Sequence, residues 1–128
     1  MEQNLEQVIR NYTSISENDL KFAVSLFHPI TLKKGQLLLD VGQRCQHVAF
    51  VKSGMLRICY PNDKGEDTTC YFALPEEFVT SYSSFTTGKP STEKIEAILP
   101  TESYLISKKD LDMLYQKIPT TQALGRKS

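Results

Sequence analysis

Between residues 30 and 106 the chain is cut into short apolar runs by Gly35, Gly42, Gly54, Gly65 and Gly88, and this punctuation restricts the fold more than any other feature. Segments 36–39, 47–51 and 55–60 have the length of strands and fall short of stable helices. Pro61-Asn62-Asp63-Lys64-Gly65 concentrates turn formers, so segments 55–60 and 68–74 are predicted to pair as a hairpin. Segments 94–99 and 103–106 supply further strands. Short strands in close succession predict a sandwich or barrel, not a parallel sheet with crossover helices.

Both flanks read as helix. Leu5, Val8, Ile9 and Tyr12 share one face. Ser16 and Asp19 have capping-box spacing, with Ile15 and Leu20 placed as a hydrophobic staple. Leu20, Ala23, Val24 and Phe27 continue that helix, and Pro29 is expected to end it. Ser107 and Asp110 repeat the cap ahead of Leu111, Leu114, Tyr115 and Ile118, and Pro119 stops the stripe. Residues 120–128 are polar and carry no pattern. The expectation is one domain over 1–128: helices over 1–28, a β-roll over 29–106 and the start of a C-terminal helix over 107–119.

Composition excludes several functions. Fifteen basic and fifteen acidic side chains cancel. A domain that held DNA by itself would show a basic excess, because phosphate contacts supply most of that affinity. No segment approaches the roughly 20 apolar residues that span a bilayer, and the opening MEQNLEQVIR lacks a signal peptide's apolar stretch. A cytoplasmic location is expected, with Cys45, Cys59 and Cys70 as free thiols; none has a helix start or cationic cluster beside it to activate it. A metal enzyme of the cupin type would need several converging histidines, and this chain has His28 and His47 alone. No cofactor is identified from the residues, and no enzymatic activity is expected.

The series Phe27-x-x-Ile30-x-x-x-Lys34-Gly35-Gln36-x-Leu38, Gly42, Val51-x-Ser53-Gly54-x-Leu56-Arg57, Asp63-x-Gly65-Glu66, Glu77-Phe78-Val79, Ser84-Phe85, Pro90-Ser91 and Ile95-x-Ala97 resembles the effector domain of Crp/Fnr-type transcription regulators. The likeness runs over roughly residues 19–118. It implies a mainly β fold with flanking helices, a double-stranded β-helix or jelly roll of the cyclic-nucleotide-binding kind. It also implies a small-molecule effector, and DNA contact through a helix-turn-helix domain that this chain does not include. The helix from Ser107 onward would lead toward a dimer interface, so homodimer formation stays open. The chain is then a piece of a longer regulator or a stub acting on a partner. A stand-alone ligand- or protein-binding module is the alternative.

Family members that bind cyclic nucleotides carry Gly-Glu-Leu followed by Arg-Ser/Thr-Ala. The arginine fork grips the cyclic phosphate, the glutamate accepts from the ribose, and the glycine admits the backbone. Here Thr80-Ser81-Tyr82 and Ser91-Thr92-Glu93 align with them, and only Thr92 fits. Losing one member of a buried charge pair costs roughly 2–5 kcal/mol, enough to turn a micromolar site millimolar. Lys89 and Lys94 are the remaining candidates for a cation. The ligand-binding residues expected are Thr80, Ser81, Tyr82, Ser83, Ser84, Ser91, Thr92, Glu93 and Lys94, and a cyclic nucleotide is the ligand the resemblance names. A solvated polar loop is the other reading of the same hydroxyls.

Overall fold

The computed structural model describes residues 3–125; the side chains of Gln3 and Cys70 lie outside what it describes. Helices α1 (Gln3–Tyr12) and α2 (Glu17–Ser25) open the chain. Strands β1 (His28–Leu32), β2 (Leu37–Leu39), β3 (His47–Ser53), β4 (Leu56–Pro61), β5 (Asp67–Ala73) and β6 (Phe78–Val79) follow. Helix α3 (Tyr82–Thr87) separates β6 from β7 (Lys94–Ala97) and β8 (Thr101–Ser107). The chain then runs through α4 (Lys108–Lys117), a 3-10 turn (Pro119–Thr121) and α5 (Gln122–Gly125).

Two four-stranded antiparallel sheets result, ordered β1-β8-β3-β6 and β2-β7-β4-β5. Consecutive strands β1 and β2, and again β7 and β8, fall in opposite sheets, which gives the jelly-roll winding expected from the sequence. Leu32, Val51, Leu56, Ile58, Val79, Ile95 and Ala97 interlock in the core between the sheets. Phe50, Tyr104 and Ile106 point the other way, into a second core with Leu5, Ile9, Leu20, Ala23 and Leu114 from the helices. The sheet holding β3 is therefore covered on both faces, and Ala49, Phe50 and Val51 are each at most 1% exposed. Fully burying a side chain of this size stabilises by about 1.5–3 kcal/mol, so these two cores carry the fold.

The predicted caps form: Ser16 Oγ accepts from the Asp19 N–H at 3.2 Å, and Ser107 Oγ from the Asp110 N–H at 3.1 Å. The hairpin between β4 and β5 closes where predicted, with Asn62 Oδ1 accepting from both the Lys64 and Glu66 N–H groups at 2.9 Å. Three expectations need correction. Pro29 does not end α2, which stops at Ser25 with Leu26 as its cap; Pro29 lies in β1, an edge strand where its missing N–H costs nothing. The serine- and threonine-rich segment after β6 contains a helix, α3, closed by Gly88 at φ 77°. Residues 120–125, which carry no pattern, are helical and bury Leu124 against α1 and α4. Among the described residues no helix is long and apolar enough to cross a membrane.

Candidate functional site

Helix α3 is built from Tyr82-Ser83-Ser84-Phe85-Thr86-Thr87, poor helix formers, so tertiary contacts must hold it. Ser84 supplies the central one. Its hydroxyl donates to the Lys89 carbonyl at 2.6 Å and accepts from the Cys45 N–H at 2.9 Å, and the residue is 2% exposed. Ser84→Ala would orphan both backbone groups. The expected loss is about 1–3 kcal/mol, read as a fall of roughly 5–10 °C in the thermal midpoint.

Ser81 and Ser91 form a second buried knot, 3.0 Å apart. Ser81 Oγ donates to Glu93 Oε1 at 3.0 Å, and Ser91 Oγ donates to the Glu93 carbonyl at 2.7 Å while accepting from its N–H. The Ser91 backbone exchanges further bonds with the 42–43 turn. Thr80 donates to the His47 carbonyl at 2.8 Å. These hydroxyls hold the loop together. Tyr82, Ser83, Thr86, Thr87 and Thr92 are the exposed hydroxyl-bearing members of the segment.

A cleft of about 460 Å³ opens beside this knot. Thr80, Tyr82 and Glu93, expected from the sequence, line it together with Tyr12, Ile58, Tyr71, Phe72, Glu76, Glu77, Phe78 and Leu124, none of which was among the expected ligand-binding residues. Ile58 and Tyr71 are cross-strand partners on β4 and β5. The other expected residues go elsewhere. Ser83 and Thr92 face a separate groove with Val41, Tyr60 and Pro61.

Lys94 does not reach the cleft: Ile95 and Ala97 of β7 point into the core, so Lys94 and Glu96 take the opposite face. There Lys94 Nζ pairs with Asp67 Oδ2 at 2.7 Å, beside Arg57, whose Nη2 meets Glu96 Oε1 at 2.9 Å. The bond to Asp67 raises the Lys94 pKa above the ordinary lysine value, and the ammonium is committed. Cys59, contrary to expectation, has the cations of Arg57 and Lys94 close by; burial outweighs them and pushes its thiol pKa up.

A smaller apolar cavity of about 220 Å³ lies on the far side of the same wall, lined by Phe27, Phe85, Ile106, Leu111 and Tyr115 among others. Phe78, Thr80, Tyr82 and Leu124 border both spaces. Lys108, the first residue of α4, donates from Nζ to the Phe85 carbonyl of α3 at 2.8 Å and sits 5.6 Å from the Phe85 ring centroid. Whatever enters the cleft therefore meets residues that also pack under α4.

The architecture is a β-roll with a helix-bearing loop beside an open cleft. Residues 29–118 match the model of the cyclic nucleotide-binding domain, and the chain belongs to that family. No curated protein matches it by sequence. Among solved structures it is similar to the sensor domain of the transcriptional regulator DNR from Pseudomonas aeruginosa, at 17% identity and a TM-score of 0.80, covering 98% of this chain and 84% of that one. The catabolite activator protein of Thermus thermophilus gives a TM-score of 0.77 at 19% identity over 88% of this chain, which spans 53% of that protein. The regulatory domain of Toxoplasma gondii PKA, solved with cAMP, gives 0.75 at 16% identity, covering 88% of this chain and 44% of that one. At these identities the likeness shows a shared fold.

Proposed function

We propose that this domain is the sensor of a Crp/Fnr-type transcription regulator: a small effector binds the cleft beside α3, and α4 carries the response outward. The observation that carries the reading is the shared wall, in which Phe78, Thr80, Tyr82 and Leu124 border both the cleft and the cavity beneath α4. The family match and the similarity to a transcriptional sensor domain support it. On this reading the domain is not catalytic, and DNA is contacted by a helix-turn-helix reader outside this chain. Pairing of two copies would run through the segment that follows α4. The effector is not tightly bound cyclic AMP or cyclic GMP, because the positions that would carry the phosphate-gripping arginine and ribose-binding glutamate hold Ser91 and Ser81, whose hydroxyls bond Glu93.

Coupling between cleft and α4 is testable without knowing the effector. Lys108→Met keeps the length of the side chain and removes the charged bond to the Phe85 carbonyl, a class of bond worth about 1.5–3 kcal/mol. Amide hydrogen exchange at Phe85 and Gly88, whose N–H groups bond Ser81 and Ser84, is expected to quicken about tenfold. Exchange in β3 and β8 should stay as it was. Unchanged exchange in α3 would show that α4 does not grip the loop, and the lever would have to be sought elsewhere.

A further inference from the structure

We infer that the apolar cavity beneath α4 is a second binding site, one that takes an uncharged compound built on a single ring or a fused pair. The inference stands apart from the effector reading of the cleft. The cavity measures about 220 Å³. Folded interiors leave few voids larger than a water molecule, so a space this size between packed elements calls for an occupant. Water suits it poorly. A buried water needs about two to four polar partners, and the threonines on this wall spend their hydroxyl protons on main chain. Thr80 donates to the His47 carbonyl at 2.8 Å, and Thr86 to the Tyr82 carbonyl at 2.9 Å.

The lining names the guest. Ile106, Val79, Leu124, Phe27 and Leu111 are each at most 9% exposed and form the floor. Tyr82 and Thr86 of α3 and Asp112 of α4 are exposed, so the mouth opens between those two helices. The rings of Phe27 and Phe78 stand 6.4 Å apart at 48°, and Phe85 and Tyr115 add two more. A further ring among them gains the offset and edge-to-face contacts that aromatic groups favour. An apolar cavity of about 150 Å³ holds benzene, so this one has room for a fused bicycle. A single turn of helix, roughly 10 Å across and about 5.4 Å long, already exceeds it, which excludes a peptide helix as the guest.

The same walls select against charge. A charged guest would give up its water for hydrocarbon, a cost that such walls do not offset. Tyr115 keeps to this rule. Burial, and then the Asp112 carboxylate, push its pKa above the ordinary tyrosine value, so the phenol stays protonated.

The test titrates the full chain with indole and with phenol, beside two charged analogues of the indole ring, tryptamine and indole-3-acetate. Binding is followed by NMR through the methyl groups of Ile106, Leu111 and Leu124. Indole is expected to shift all three saturably, with a dissociation constant on the order of 1 mM or below. Each charged analogue is expected to bind at least about tenfold more weakly. Thr86→Phe places a ring at the mouth, and Val48→Ile adds a methyl group on the wall; each is expected to weaken indole by about tenfold. Should Thr86→Phe fail to fold, Val48→Ile carries the comparison. Tryptamine or indole-3-acetate binding as tightly as indole would overturn the uncharged assignment. Indole that shifts the amides of Tyr71 and Glu93 but not the three side chains would place it in the cleft and overturn the cavity site. The absence of any saturable shift with both indole and phenol would overturn it too, and the hydrogen-exchange test of the cleft and α4 would stand unaffected.

Discussion

Phe50→Ala is expected to cost about 3–5 kcal/mol, the range for removing a fully buried ring from a core that cannot collapse around the gap. Phe50 is 0% exposed and occupies the middle of β3. Its ring lies 5.1 Å from that of Phe78 at a tilted angle and 6.3 Å from that of Tyr104 in a stacked one. Phe78 borders both the cleft and the cavity under α4, so the ring behind it sets how firmly that wall is held. For a chain of this size the loss corresponds to a fall of roughly 10–20 °C in the thermal midpoint by calorimetry. A fall of only a few degrees would mean that the helical layer is loosely seated on the sheet, against the burial described above. Phe50→Leu keeps most of the volume and should recover the larger part of the loss.

Gly54→Ala is expected to be nearly as damaging although it adds a single methyl group. Gly54 turns β3 into β4 at φ 91°, and a Cβ there would lie 2.4 Å from the Pro100 carbonyl oxygen and 2.7 Å from the Thr101 Cα. Both obstacles are backbone, and neither can swing aside. The third, Thr101 Oγ1 at 2.5 Å, is itself bonded to the Met55 N–H and the Leu99 carbonyl. The left-handed backbone contributes about 1–2 kcal/mol and the overpacking about another 1–3 kcal/mol. Denaturant unfolding is expected to show a total near 2–5 kcal/mol with little change in slope. Gly35→Ala gives the contrast: its φ is 86°, and the added Cβ meets nothing within 4 Å. It should lose the backbone contribution alone. Equal losses at the two positions would show that the crowding at Gly54 is relieved by movement of the corner.

These two residues also show what could be read from the sequence and what could not. Gly54 stood out as one of the glycines that cut the chain into strands, and the runs between them became β2, β3, β4 and β5. The caps at Ser16 and Ser107 were legible because a serine three residues ahead of an acidic residue, before an apolar stripe, has few other uses. Helix α3 was not, because serine, threonine and tyrosine have weak intrinsic preference for helix and six residues give no period; Gly88, a glycine just past the segment, was the one available sign of its end. That Ser81, Ser84 and Ser91 hold the loop from within depends on partners far along the chain, such as Cys45 at a separation of 39 residues, and no local pattern encodes that. The orientation of Lys94 was within reach: once Ile95 and Ala97 are read as core, the two-residue period of a strand sends Lys94 outward. Tyr12 of α1, Tyr71 of β5 and Tyr82 of α3 come to the cleft from three separate elements, and only the fold brings them together.

The account's central claim is that the cleft of this cyclic nucleotide-binding fold takes an effector other than the cyclic nucleotide. Titration of the chain with cyclic AMP to millimolar concentration, followed through the amides of Tyr71, Thr80, Tyr82 and Glu93, tests it most directly. The expected result is no saturable shift at any of the four. A saturable shift with a micromolar dissociation constant would contradict the account, since it would mean that the cleft grips a phosphate although Ser91 stands where the family's arginine would be.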